Sequence, residues 1–391
     1  MSGANPPADR GVRAFDLAVV GGGIVGIAHA LAGAKAGLKT VVVERDRAAN
    51  GASIRNFGFV TVTGQAFREV WPRARRTREI WADLAPRAGL AVLHRGLVLA
   101  AHRPEAVAVL EAFMDGPTAH GCELLPGREA AARFPMLRAE RLNAALVSPH
   151  ELRIEAREAI PRLWAHLERD LGVGVMRGVA VHAVAPGRLA TSAGEIRAEH
   201  IVVAPGPDLR TLFGEIMAQA RVRLCRLHML RLAPQAFRMP SAVMADLSLV
   251  RYGGYTDLPP VPALRARLEA EVGASLAHGI HLIAVQSADG SLVVGDSHHD
   301  GDPPSPFAAD EVDRLILGHA QETLALTSSE VVERWLGVYP TADEPFLIAR
   351  PHPTIRLAMV TCGAGMSTAF ALGEEVIGEL TGKSRHAGAP A

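Results

Sequence analysis

The sequence predicts an α/β nucleotide-binding fold joined to a second, α+β domain rich in sheet, and three stretches carry that prediction. Near the front, Phe15-Asp-Leu-Ala-Val-Val-Gly-Gly-Gly-Ile-Val-Gly26 is an apolar run that ends in Gly21-x-Gly23-x-x-Gly26. In the middle, the apolar run Ile201 to Ala204 stops at Pro205-Gly206. Near the end, the run from Ile355 enters the turn Gly363-Ala-Gly365-Met366-Ser367-Thr368, and Ala369 to Leu380 reads as a helix. Short apolar runs bounded by glycines are the pattern of strands buried on both faces.

In the first stretch, Leu17 to Val20 is the strand and Ile24 to Leu38 an Ala-rich helix; Thr40 to Val43 is a second strand, ending on Glu44. Gly21 allows the tight turn, Gly23 lets a pyrophosphate approach the backbone, and Gly26 lets helix and strand pack closely. The free N–H groups around Ile24 and Val25 form the positive end of the helix, which receives phosphates. Glu44, roughly 20 residues past the glycines, is placed for ribose hydroxyls. Arg45 and Val179 are assigned to the same nucleotide half.

These residues alone do not separate NAD from FAD. A glycine turn at the front and a GxGM turn near the end form one site only if the fold brings the two ends together, which a flavoprotein requires. The polar loop Asn50 to Gly58 follows Glu44 directly and supplies Ser53, Arg55, Asn56 and Phe57. Ala204 and Gly206 let the backbone pass close to the cofactor. Gly363, Gly365, Met366, Ser367 and Thr368 stand at a helix start, where partial positive charge favours a reduced flavin ring. Ser367 and Thr368 are expected to cap that helix. FAD is the expected cofactor.

Composition narrows the function. The chain has 391 residues, more than one ordinary core accommodates, so two domains are expected. Lys plus Arg equal Asp plus Glu at 41 each, which argues against nucleic acid or an anionic membrane as partner. Cys122, Cys225 and Cys362 have no metal-ligand or dithiol spacing. The start of the chain lacks a signal-peptide core and no run is long enough to span a bilayer, so a cytoplasmic location is expected.

Four further segments carry a family resemblance: Gly51-Ala-Ser-Ile-Arg-Asn-Phe-Gly-Phe-Val60 with Thr63-Gly64-Gln65; Ser148-Pro-His-Glu-Leu-Arg-Ile154; Gly295-Asp-Ser-His-His299; and Glu333-Arg-Trp-Leu-Gly-Val-Tyr339. From Phe15 to about Leu380 the chain resembles the family of D-amino-acid oxidase, glycine oxidase and sarcosine oxidase. Within it the chain is most similar to the group associated with aminophosphonate breakdown. The resemblance implies a glutathione-reductase-type, Rossmann-like FAD domain built from discontinuous segments, and a sheet-rich substrate domain over the flavin ring. The expected segments are 14–87, 146–217 and 331–380 for the first and 88–145 and 218–330 for the second, with tails at 1–13 and 381–391. Sarcosine oxidases that attach flavin covalently use a cysteine where this chain has Gly337, so non-covalent FAD is expected.

The resemblance implies oxidation of a primary or N-methylated aminophosphonate, 2-aminoethylphosphonate or a close relative, through an imine to an aldehyde. Oxygen, or another acceptor, takes the electrons. The alternative is a glycine, sarcosine or D-amino acid oxidase acting on a carboxylate. A flavin monooxygenase would be favoured by a second glycine fingerprint, which the sequence lacks. A flavin that oxidises an amine needs positioning groups rather than a strong base. An acidic substrate group calls for arginine, with tyrosine or histidine as added donors. Arg55 is the first candidate; Arg251 and Tyr252, in a glycine-rich segment, are the next, and Arg223 and Arg226 alternate with apolar residues on a strand. His298 or His299 could hold the substrate or keep its amine neutral, and Tyr339 corresponds to a position near the substrate. His298, His299 and Asp300 lack a separated third ligand, so no metal site is expected. The run Arg73-Ala-Arg75-Arg76-Thr-Arg78 reads as a solvated helix face.

Overall fold

The structure, a computed structural model, describes residues 13–301 and 303–382. Residues 1–12 and 383–391 of the two expected tails lie outside the described residues. The three diagnostic stretches become adjacent strands of one parallel sheet. Arg13–Val20 lies between Thr40–Glu44 and Gly194–Val203, which in turn pairs with Ile355–Cys362. Gly174–Arg177 extends the sheet beyond Thr40–Glu44. Such strands lose all polar side-chain exposure, and Leu17, Ala18, Val19, Val41, Val42 and Val202 are buried. The carboxyl ends of the strands share one edge, where sheets of this kind bind ligands.

Helices Ile24–Lys35, Trp71–Arg87 and Gly365–Leu380 pack on one face of that sheet. Gly373 makes the crossing of the first and last possible: a Cβ there would lie 2.7 Å from the backbone of Ala28. The rear helix begins at Gly365, four residues before the expected start, because the GxGM segment is itself the first turn. The basic run is not simply solvated. Arg73 forms two-pronged bonds to Glu375, and Arg76 bonds Glu374 and Glu79, tying the Arg-rich helix to the rear one. Hydrogen bonding to Glu374 raises the Arg76 pKa against the effect of partial burial.

The second layer is mainly antiparallel. Its order runs Ala144–Ile154, Val92–Ala101, Ala242–Ala245, Ile283–Gln286, Leu292–Gly295, Arg223–Leu232 and Val331–His352. The long strand Val331–His352 belongs to both sheets. Residues 331–341 pair with Arg223–Leu232, and residues 341–352 pair with Ile355–Cys362. Thr341 sits at the changeover, opposite Arg223 on one side and Cys362 on the other. Among the described residues no helix is long and apolar enough to cross a membrane.

Candidate active site

At the strand ends a cavity of about 280 Å³ is lined by Gly21, Glu44, Arg45, Val179, Ala204 and Gly206. Gly21 has φ +100°, and a Cβ there would lie 2.2 Å from Ala204 O. Glu44 is locked in place: its Oε2 accepts from Gly22 N at 2.6 Å and its Oε1 from Asp46 N at 2.8 Å. Trp164 Nε1 donates to Gly22 O at 2.8 Å, and Ser53 Oγ accepts from Ile24 N at 3.0 Å. Gly23 offers no capping side chain and no acid stands in the first turn of its helix, so the helix start remains open to an anion. That end fits a diphosphate. Arg45 pairs with Asp208 at 2.9 Å at the rim.

A second cavity of about 610 Å³ continues from Gly23, Ser53, Ala204 and Gly206. Asn56, Phe57, Gly337, Gly363, Gly365 and Met366 line one side of it. A Cβ on Gly337 would meet Arg55 O at 3.2 Å, and Gly363 has φ +75° with the Tyr339 ring 3.2 Å from where its Cβ would stand. Ala364 cannot cap the rear helix, and no acid occupies its first turn. Its positive end therefore faces the cavity, matching an electron-rich flavin edge. The residues present fit FAD: diphosphate at the front turn, ring beside the rear one.

Every sequence-predicted cofactor residue lines one of these two cavities except Thr368. Ser367 and Thr368 do not cap the rear helix. They lie inside its first turn, where Ser367 Oγ accepts from Thr61 N at 2.9 Å and Thr368 Oγ1 donates back to Ala364 O at 2.8 Å. Arg55 lines the cavity but its guanidinium is engaged by protein: Nη2 donates to Asn50 Oδ1 at 2.8 Å and Nη1 to Leu336 O at 3.3 Å. Trp335 Nε1 donates to Arg55 O at 3.1 Å. Arg55 thus clamps the polar loop onto the long shared strand.

The facing wall carries Arg251, Tyr252, His281, Asp296, His298 and Tyr339. Arg251 is exposed to the cavity, and among the described residues no side-chain partner holds it. Tyr252 stands edge-on to His281 at 5.5 Å, and His298 edge-on to Tyr339 at 6.4 Å. Burial pushes the phenols of both tyrosines well up, so they remain donors. Asp296 lies between two imidazoles, with His281 Nε2 3.1 Å from Oδ1 and His298 Nε2 3.8 Å from Oδ2. These three groups share their charge as one unit. Burial drives both imidazoles down, His298 to about 3. Burial opposes ionisation of Asp296 too, yet its interactions with the His298 and His281 rings and with the Arg251 charge leave its carboxyl below the ordinary range.

Other expected contributors point elsewhere. His299 turns away to rings of His228 and His278, at 5.7 and 5.3 Å. Arg226 is buried, donating to Ser305 O and Phe307 O, because its strand position faces a loop rather than the cavity. Arg223 sits at the surface, 3.8 Å from both Asp300 and Asp343. Sequence reasoning missed Asp296 and His281. The Gly-Asp-Ser-His motif held the signal, since an acid and an imidazole two residues apart in a turn can share a cavity, but His281 comes from a different strand edge.

Residues 16–378 match the family model described as DAO, FAD dependent oxidoreductase. No curated protein sequence matches the chain. Among solved structures, glycine oxidase from Geobacillus kaustophilus is similar at TM-score 0.73 and 18% identity, covering 96% of each chain. L-proline dehydrogenase from P. horikoshii is similar at 0.74 and 18%, covering 96% of this chain and 95% of that one. L-α-glycerophosphate oxidase from Mycoplasma pneumoniae, described with FAD bound, is similar at 0.73 and 16%, covering 95% of each. At these identities the likeness is one of fold. The family match spans both glycine turns and the wall between them, and the chain belongs to the DAO family of FAD-dependent oxidoreductases.

Proposed function

We propose that the protein oxidises the C–N bond of a small amine that also carries an anionic group, and that this group is a phosphonate, as in 2-aminoethylphosphonate or its N-methyl form. The observation that carries the reading is Arg251, a guanidinium facing the cavity with no side-chain hydrogen bond or ion pair among the described residues. A planar fork of donors suits a tetrahedral anion. Tyr252 and Tyr339, kept protonated by burial, flank it as further donors. The choice of phosphonate over carboxylate is supported by the resemblance carried by Gly51–Val60 and Gly295–His299.

Bound FAD supplies the two-electron acceptor for the hydride leaving the amine-bearing carbon. Gly21, Gly23 and Glu44 would hold its diphosphate and ribose, and Gly337, Gly363 and Met366 would border its ring. Arg251 fixes the substrate's far end, so that the carbon rather than the anion is directed at the ring wall. The apolar sides of Phe57 and Met366 limit water around the reacting carbon. The resulting imine takes up water and gives the aldehyde, with ammonia from the primary amine or methylamine from the N-methyl form. FAD-loaded protein mixed anaerobically with 2-aminoethylphosphonate or its N-methyl form is expected to lose the oxidised flavin absorption. Bleaching by glycine, sarcosine or D-alanine alone would overturn the phosphonate reading and leave a carboxylate substrate.

A further inference from the structure

Arg251 supplies the positive charge of the cavity, and Asp296, which feels that charge, is left without a role. The Asp296 side chain is 7% exposed and lines the cavity. Its Oδ1 is buried and has no hydrogen-bond partner among the described residues; the His281 contact at 3.1 Å is close without being aligned. His298 Nδ1 lies 2.9 Å from Gly279 O, a bond that forms only if Nδ1 carries the proton. A neutral His298 ring therefore turns the lone pair of Nε2 toward Asp296. Burial favours that neutral form. The carboxylate and the two imidazoles bring their ligand-capable atoms within 4.8 Å of one another. The Arg251 charge acts on this nearly dry cluster, but no hydrogen bond from Arg251 reaches it, and buried acceptors of this kind are costly until N–H donors meet them.

We infer that Asp296, flanked by His281 and His298, is the binding site for the substrate's ammonium group, so that the cavity recognises a zwitterion by one positive and one negative pole. The inference rests on the reading of the substrate as an anionic amine. An alkylammonium offers three donors and fits a carboxylate plus a neutral imidazole acceptor. Asp296 and His298 Nε2 are the groups that touch it, and His281 is a positioning residue. Fixing the nitrogen at Asp296 and the anion at Arg251 leaves the amine-bearing carbon between them as the part of the substrate presented to the ring wall.

The test uses amines that bind without reacting. 2-Amino-2-methylpropylphosphonate and 2-aminoisobutyrate carry nitrogen on a carbon without hydrogen. 2-Methylpropylphosphonate and isobutyrate are their amine-free counterparts. Binding to the FAD-loaded protein is followed by calorimetry and by the shift of flavin absorption. The wild type is expected to prefer the amine of at least one pair by about tenfold or more. In Asp296→Asn the preference falls to about threefold or less, while the amine-free probe and FAD content change less than about twofold. Arg251→Ala behaves oppositely, weakening both members of a pair alike; if it leaves both unchanged, the anion reading fails while the amine preference still reports on Asp296. Should Asp296→Asn not load FAD, His298→Phe, which removes one acceptor, is expected to cut the preference by about threefold. Absence of an amine preference in the wild type overturns the inference. So does a preference untouched by both variants, or zinc at one per chain in the purified protein that Asp296→Asn abolishes, which would make the trio a metal centre.

Discussion

The turn Gly21–Gly26 and the wall of Arg251, Asp296 and His298 face connected cavities, yet they are assembled in opposite ways. The turn is local: six consecutive residues, with tolerances set by backbone, as when a Cβ on Gly26 would stand 1.8 Å from Gly21 O. The wall draws its groups from a segment after Asp246–Val250, from a turn after Leu292–Gly295 and from the approach to Ile283–Gln286. Its tolerances are set by charge and burial. The difference teaches that the glycine turn is defended by shape, whereas the charged wall is set by electrostatics.

Breaking the shape-defended end is expected to have the largest effect. Gly26→Ala places a methyl into backbone, at a cost of about 3 kcal/mol or more, and the purified protein is expected to be colourless with a lowered Tm. Breaking the charge-tuned end is next. Arg251→Ala removes charge-assisted bonds of about 1.5–3 kcal/mol, so the substrate Kd in anaerobic flavin reduction is expected to rise about 10- to 150-fold with FAD content intact. Arg55→Ala, by contrast, is expected to loosen the loop and FAD retention more than substrate binding. An unchanged Kd in Arg251→Ala together with a raised one in Arg55→Ala would reverse the assignment.

The two regions can also be compared by titration. His29, on the helix after the glycine turn, is lowered by burial to about 4, and His94, on a strand of the second sheet, by burial and the Arg153 charge to about 3. Native protein keeps both rings neutral, whereas the unfolded chain protonates them near 6.5. Between those values the unfolded state binds more protons, so stability falls as pH drops, by up to about 1.4 kcal/mol per pH unit for each ring. Urea titrations from pH 7.5 to 4.5 are expected to show this slope, with His29→Gln and His94→Gln each flattening it. The smallest effect is expected at the surface. Arg76→Ala removes partly exposed ion pairs and is expected to cost less than about 1 kcal/mol.

The same contrast explains what could be read from the sequence. The parallel strands, the glycine turns and the FAD-lining loop were legible because each is a contiguous pattern whose physics is local. Gly337 and Tyr339 were legible through resemblance. That the guanidinium of Arg55, the first candidate for the anion, is engaged by Asn50 and by Leu336 O could not be read from sequence. Asp296 and His281 escaped because their meeting depends on antiparallel register between Ile283–Gln286 and Leu292–Gly295, which pairs Ile283 with Gly295. Helix limits near Gly365 shifted because glycine, serine and threonine are tolerated in a first turn, where the backbone N–H groups are still unbonded.

The long strand Val331–His352 has a consequence for traffic through the enzyme. One strand runs from the antiparallel sheet through Thr341 into the parallel sheet, with register shifts on the way, one of them just past Thr341. Because Val331–His352 is hydrogen-bonded into both sheets, separating them would break main-chain bonds to Arg223–Leu232 or to Ile355–Cys362. The segment bearing Arg251 is tied down as well: Gly254 N donates to Gly64 O at 2.8 Å, and a Cβ on Gly254 would lie 2.6 Å from the Gly64 backbone, so a molecule entering the cavity meets Arg251 on an anchored stretch of chain.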